Sequence, residues 1–487
     1  MRRSAVLRGK LGLVVAIVAS AVLAFVSSAS GQEYVAGSDG SGDPFFPQAG
    51  NGGYDVGHYS LTIDYDQPAN FLSGTAVIQA TATQNLRRFN LDLRDFYAVS
   101  SVTVDGAPAN IARPGSQELQ ISPTPRLDAG TPFTVEVVYS GKPKAIKDPD
   151  KSIEGWIPTD DGAFVVNEPQ GSPGWYPVND SLRDKATYDF TITVPAGREA
   201  VANGRLISQT TQGGKTTWVW EEDSPMAPYL ATATNGDFLT RTYSAGRLFM
   251  FDAVDPNTRR LPANDPNPGL AFQRLDPQPE IIDFFGGLYG AYPFTSGGGI
   301  IDWAFEVGYA LEAQTRANYQ RIPSPTTVVH ELAHQWFGNA VTISSWPDIW
   351  LNEGFATFSE WIYNERHGGT PAAEIFEELY ATSEDDPFFE ELWFPAPAAL
   401  HHPSQLFHTP VYDRGAMTLQ ALRAKVGDTD FFQILRDWYS QNRATAVTGD
   451  QSVSTADFIA LAEQVSGQNL DQFFRVWLYE EGRPESW

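Results

Sequence analysis

A β-sheet domain followed by a mostly helical domain is the fold that this chain predicts, on three observations. The 487 residues exceed what one core holds, since a single core rarely grows past about 250 to 300 residues. From His58 to about Tyr243 apolar residues recur with period two, and after about Ser244 their spacing turns helical. An apolar content of 42% with 13% aromatics is ample for two ordinary cores.

The N-terminus reads as a targeting segment rather than as fold. Arg2, Arg3, Arg8 and Lys10 surround the start of an apolar run from Leu11 to Phe25, and Ser27-Ser28-Ala29 offers small side chains suited to cleavage. The run is shorter than the about twenty apolar residues of a membrane span. Residues 1–29 are therefore expected to be a signal peptide, and the mature chain to be secreted without stable membrane insertion; an uncleaved signal anchor is the alternative. Residues 30–53, rich in Gly, Ser, Asp and Pro, read as a flexible, exposed leader.

Residues 54–243 read as the β domain. Tyr59, Leu61, Ile63 and Tyr65 alternate with polar neighbours, as do Ala76, Ile78 and Ala80, then Phe89, Leu91 and Leu93. Val102 and Val104 lead into Asp105-Gly106, a hairpin signal. The series continues through Leu119/Ile121, Phe133/Val135/Val137, Phe190/Ile192/Val194 and Trp218/Trp220. Residues 244–487 read as the second domain, with helices expected at 279–289, 325–337, 353–366, 372–383, 415–426, 429–441, 454–465 and 469–480. Residues 256–268, rich in Pro and Asn, read as a loop.

The chain has no cysteine, which excludes disulfides, thiolate metal sites and cysteine nucleophiles. Removing the leader's four basic residues takes Lys+Arg from 33 to 29 against 59 acidic residues, a net charge of about −30. So acidic a surface repels phosphate backbones and anionic lipid, and nucleic-acid binding is not expected.

His330-Glu331-Leu332-Ala333-His334, followed after eighteen residues by Glu353, carries the chemistry. Two imidazoles four apart on a helix stand one above the other and can reach one cation, with Glu353 as third ligand. Three protein ligands leave a tetrahedral zinc one position short, as hydrolysis requires and a structural site does not. Glu331 is placed to take a proton from the attacking water. Ser324 before Pro325 makes a good helix start, and Gly338-Asn339 a plausible end. The pattern implies a zinc hydrolase with one Zn2+ per chain. The bland reading is a pair of core histidines and a surface glutamate.

The wider text, residues 328–339 (VVHELAHQWFGN) and 346–356 (WPDIWLNEGFA), resembles the gluzincin zinc aminopeptidases of the aminopeptidase N and leukotriene hydrolase type. Residues 411–416 (VYDRGA), Glu168-Pro169, Trp175-Tyr176-Pro177 and 184–188 extend the resemblance, which runs from about Asn51 to the C-terminus. It implies a saddle-shaped β domain and a thermolysin-like catalytic domain acting on peptides. The text resembles a short form without the family's C-terminal helical domain, and the active site is then expected to be more open. The resemblance makes Tyr412 the stabiliser of the oxyanion. It also implies carboxylates that hold the substrate's free ammonium group: Glu312, then Glu168 from the β domain, with Gln170 as the fallback. The family's Gly-x-Met-Glu-Asn block stands here as Tyr309-Ala310-Leu311-Glu312-Ala313, so Glu312 is kept while the flanking glycine and asparagine are replaced.

Other residues have two readings each. Glu360, seven residues after Glu353, either orients a ligand from behind or is a solvated helix charge. His401, His402 and His408 read as a loop near the active-site mouth rather than as a second metal site, and His58 and His367 lack visible companions. Two rival functions stand beside the peptidase: endopeptidase or epoxide hydrolase chemistry at the same site, and a non-catalytic surface-binding protein on a peptidase fold.

Overall fold

Alternating apolar residues become buried rows of a sheet. Leu61 on Tyr54–Asp66 faces Ala76 on Phe71–Ala82, which faces Val137 on Pro132–Gly141, and all three are buried. In a strand every second side chain points to one face, so one such row commits the whole register. The computed structural model describes residues 33–262, 265–444 and 450–485, and the expected signal peptide lies outside them. An eight-stranded sheet runs in the order Arg205–Gln212, Lys215–Met226, Ala186–Pro195, Tyr54–Asp66, Phe71–Ala82, Pro132–Gly141, Tyr97–Val104, Ala107–Pro108. Asp105 and Gly106 close its last hairpin at φ 50° and 76°, the left-handed pair that a tight two-residue turn needs. A five-stranded sheet follows the order Ile146–Lys147, Ile153–Pro158, Ala163–Val166, Ala233–Gly236, Glu199–Ala202.

Two expectations about the N-terminal half are corrected. The described part of the leader, residues 33–53, is anchored at several points rather than loose throughout: Val35–Ala36 pairs with Leu86–Asp92, and Phe46 and Asn51 are buried. Phe46 meets Trp346 edge-on at 6.2 Å, and Asp43 accepts from the Trp346 N–H at 2.8 Å. Its polar composition concealed these few anchors. The boundary at 243/244 falls inside Leu239–Ala245, the first strand of a six-stranded sheet that belongs with the helices and that the helical reading did not foresee. This sheet runs on through Leu248–Val254, Gly299–Ile301 and Ala317–Tyr319 to the edge strand Ala310–Leu311, with Ser296–Gly297 also paired to Leu248–Val254.

The helices are α1 (Pro268–Leu275), α2 (Gln278–Tyr289), α3 (Pro325–Ala333), α4 (Trp350–Arg366), α5 (Ala372–Tyr380), α6 (Phe388–Trp393), α7 (Thr409–Val426), α8 (Asp428–Asn442), α9 (Thr455–Ser466) and α10 (Asp471–Phe474). Of the expected boundaries that move, three bear on the site. α3 stops four residues early, because the Gln335 and Trp336 N–H groups reach back three residues and the chain tightens there. α4 starts three residues early and α7 six, which puts Glu353 and Tyr412 in first turns. One apolar core runs through both domains. Buried polar groups join them: Lys185 donates to the Asn339 and Ala340 carbonyls at 2.7 and 3.1 Å, and Asn318 to the Val165 carbonyl at 2.9 Å. Among the described residues no helix is long and apolar enough to cross a membrane.

Candidate active site

Two helices and a sheet edge bring the charged residues together. α3 starts where Ser324 Oγ accepts from the Thr327 N–H at 2.9 Å and Pro325 takes the first helical position. One turn apart on one face, His330 and His334 place their ring centroids 4.7 Å apart. His334 is the C-cap but keeps right-handed helical dihedrals, so the shortened helix preserves the pairing. Glu353 arrives from the first turn of α4, where the helix's positive end favours a carboxylate. Its Oε2 lies 3.1 Å from His330 Nε2 and 3.3 Å from His334 Nε2.

Each imidazole is aimed from behind. His330 Nδ1 donates to Glu360 Oε1 at 2.6 Å, and His334 Nδ1 to the Phe337 carbonyl at 3.1 Å. Those bonds aim both Nε2 atoms at Glu353, the arrangement that orients metal-binding histidines. Glu360 is thus a partner of His330 and not a merely solvated charge. Two imidazole nitrogens and one carboxylate oxygen, all within 4.8 Å of one another, suit a zinc ion with a free fourth position. Charge sharing inside the cluster is strong. Burial opposes charge on His334, yet Glu353 and Glu312 raise it to about 9. Burial likewise opposes charge on Glu353, yet His334 and His330 hold it down at about 2.

Glu331 is buried beside them, and burial, aided by Glu312 and Glu353 against the two histidines, pushes its carboxyl up to about 8. Tyr412, from the first turn of α7, stacks its ring near His330 at a centroid distance of 6.1 Å. Burial raises its hydroxyl well above the usual range and keeps it a donor. Glu312 follows the edge strand Ala310–Leu311. Gln335 and Asn339 donate to its carbonyl at 3.0 and 2.8 Å, and Tyr229 donates its hydroxyl to Oε1 at 3.2 Å. These bonds seat Glu312 despite the altered flanks, and Tyr309, in the glycine's place, donates to the Ile153 carbonyl at 3.1 Å.

Glu168 reaches the same cavity from the β domain. It is buried, and among the described residues its Oε1 has no hydrogen-bond partner. Burial first, then the charge of Glu312, push it well above the carboxylate range. The fallback, Gln170, is corrected: its amide donates to Asp148 Oδ1 at 3.0 Å and its N–H to Glu154 Oε2 at 3.0 Å, away from the cavity lining. That buried acid pair satisfies it completely enough to hold it there. His401, His402 and His408 form no ligand set. His402 instead accepts from the Ser404 N–H and caps the turn Pro403–Gln405, while Phe407 from the same loop borders the cavity. Among the described residues, the groups spaced to hold a metal are His330–His334–Glu353 and Glu312–Glu331–His334.

The ligands, Glu331, Tyr412, Glu312 and Glu168 line one cavity of about 650 Å³. Sequence reasoning missed part of its lining, Asp150 to Ser152 on the hairpin after Ile146–Lys147, and Val307 with Gly308. Local turn composition marks those segments as loops, but nothing local says that they meet.

Residues 306–477 match the peptidase family M1 domain and residues 56–230 the peptidase M1 N-terminal domain. The chain belongs to peptidase family M1. It is 27% identical over 341 residues to aminopeptidase M1-D of Oryza sativa subsp. japonica, covering 63% of this chain and 36% of that protein. Probable aminopeptidase 1 of Sulfurisphaera tokodaii is 23% identical over 377 residues, 72% of this chain and 45% of that one. The chain thus spans less than half the length of these curated relatives. The M1 zinc metallopeptidase of Deinococcus radiodurans is 28% identical, with a TM-score of 0.78 over 92% of this chain and 98% of that one. A mutant of it, with the same score, identity and coverage, is bound to a Tyr-Ser-Ala substrate.

Proposed function

We propose that this chain is a secreted zinc metalloaminopeptidase that removes N-terminal residues from peptides. One observation carries the reading: two buried carboxylates, Glu168 and Glu312, face the cavity that holds the three metal-ligating side chains and Glu331. A peptide's α-ammonium group supplies the cation that such a pair lacks, through charge-assisted hydrogen bonds. Anchoring there sets the first peptide bond, and not an internal one, against the ligand cluster.

His330, His334 and Glu353 would hold the zinc ion, whose chemistry there would be polarisation of the scissile carbonyl and acidification of water. Glu331 accepts the water's proton and passes it to the leaving amine. The Tyr412 hydroxyl donates to the carbonyl oxygen as its charge grows, a contribution of about 3 kcal/mol for one positioned donor. Export is supported by the basic and apolar pattern of residues 2–29.

Aminoacyl arylamides, assayed with and without chelator beside their N-acetylated counterparts, test the proposal. Free-amine substrates should turn over only with metal, and N-acetylation should slow turnover at least about a hundredfold. Equal rates on blocked and free substrates would sink the aminopeptidase reading. Glu331→Gln should keep its zinc by atomic absorption while losing about a hundred- to ten-thousandfold in kcat. Wild-type turnover in that variant would remove Glu331 as the base.

A further inference from the structure

A second groove, lined by neither Glu312 nor Glu168, adjoins the cavity. It measures about 320 Å³ and lies between α3 (Val329), α4 (Trp361, Tyr363, His367) and α5 (Ile375). Thr326 and Glu360 line both this groove and the metal-site cavity, so the two share a wall. One wall is fixed in place: His367 stacks on Tyr363 at 4.0 Å, and Glu280 accepts from His367 Nε2 at 3.0 Å. Walls held this way form a ready-made apolar slot.

The direction of a bound peptide follows from which acid stands beside which histidine. Glu312 is grouped with His334, whereas Glu360 bonds to His330, one turn nearer the start of α3. A chain held by its ammonium at Glu312 and Glu168 and reacting between the histidines is led past His330 toward Thr326. His334 to Thr326 is about 12 Å along the helix, the length of about three to four extended residues. The side chain near the fourth residue therefore arrives at the groove mouth.

We propose that this groove is a subsite for the departing part of the peptide and selects an apolar side chain at its fourth residue. The inference rests on the aminopeptidase reading for the peptide's direction. Zinc-loaded Glu331→Gln protein, titrated calorimetrically with Ala-Ala-Ala-Leu-Ala and Ala-Ala-Ala-Ser-Ala, reads the groove without turnover. The leucine peptide should bind about tenfold more tightly, and adding Ile375→Asp should remove the difference. Ile375→Ser is carried alongside in case aspartate unfolds α5. Equal Kd values for the two peptides, or a difference that survives both substitutions, overturn the proposal. Failure of the aminopeptidase reading registers separately, as equal turnover of free and N-acetylated arylamides, while the two Kd values still decide the groove.

Discussion

At the scale of single residues, Glu360 does the least visible work in the site. It touches no reacting atom, yet its 2.6 Å bond to His330 Nδ1 fixes the ring that must present Nε2 to the metal. Removing such a partner usually costs ten- to a hundredfold in metal affinity. Glu360→Ala should therefore weaken zinc binding by about that factor, read by competition with a chromophoric chelator, and unchanged affinity would make Glu360 a bystander. The same residues set a pH dependence. In protein stripped of metal by a chelator, His334 at about 9 is protonated at neutral pH and must lose that proton to become a ligand. Zinc affinity should climb from pH 6 to 9, and calorimetry in buffers of different ionisation enthalpy should show proton release. A flat profile would contradict this charge sharing.

At the scale of elements, two glycines set how near the catalytic helices come. A Cβ on Gly354 would lie 2.8 Å from the Gly415 Cα, and one on Gly415 would lie 2.9 Å from the Gly354 Cα. The neighbouring atoms are helix backbone, which cannot swing aside. α4 carries Glu353 and α7 carries Tyr412, so this contact fixes a metal ligand relative to the oxyanion donor. Gly354→Ala should cost about 1–3 kcal/mol of stability through overpacking and lower kcat on arylamides while zinc stoichiometry stays at one. Full activity with normal stability would show that the helices separate freely. Elements also mark the limit of legibility. His330, His334 and Glu353 were readable because i, i+4 spacing on a helix is a local geometric fact. So were the strands, whose alternation declares a buried face. The early start of α7 was not, since Thr409-Pro410 reads as loop until its first turn packs. Residues 33–53 looked like leader because anchors such as Asp43 and Phe46 find Ser345 and Trp346 some three hundred residues away.

At the scale of the whole molecule, acidity opposes the folded state as pH rises. The net charge is −26, and several acids that do not line the metal-site cavity are buried with raised pKa values. Burial pushes Asp92 to about 6 and Glu222 to about 7; burial, with the charge of Asp92, pushes Glu118 to about 8. Each ordinary value lies near 4, so between pH 5 and 8 the folded protein holds protons that the unfolded chain has released. Linkage then fixes the sign: stability falls with pH wherever the folded state binds more protons. Growing self-repulsion of the acidic surface acts in the same direction and is screened by salt. Urea denaturation of chelator-treated protein should show its midpoint falling from pH 5.5 to 8, with the fall reduced at high NaCl. Glu118→Gln should flatten the upper part of that slope, because its carboxyl is the last of the three to ionise. A midpoint that rises across the same interval would mean that these carboxyls are charged in the folded state and held by cations.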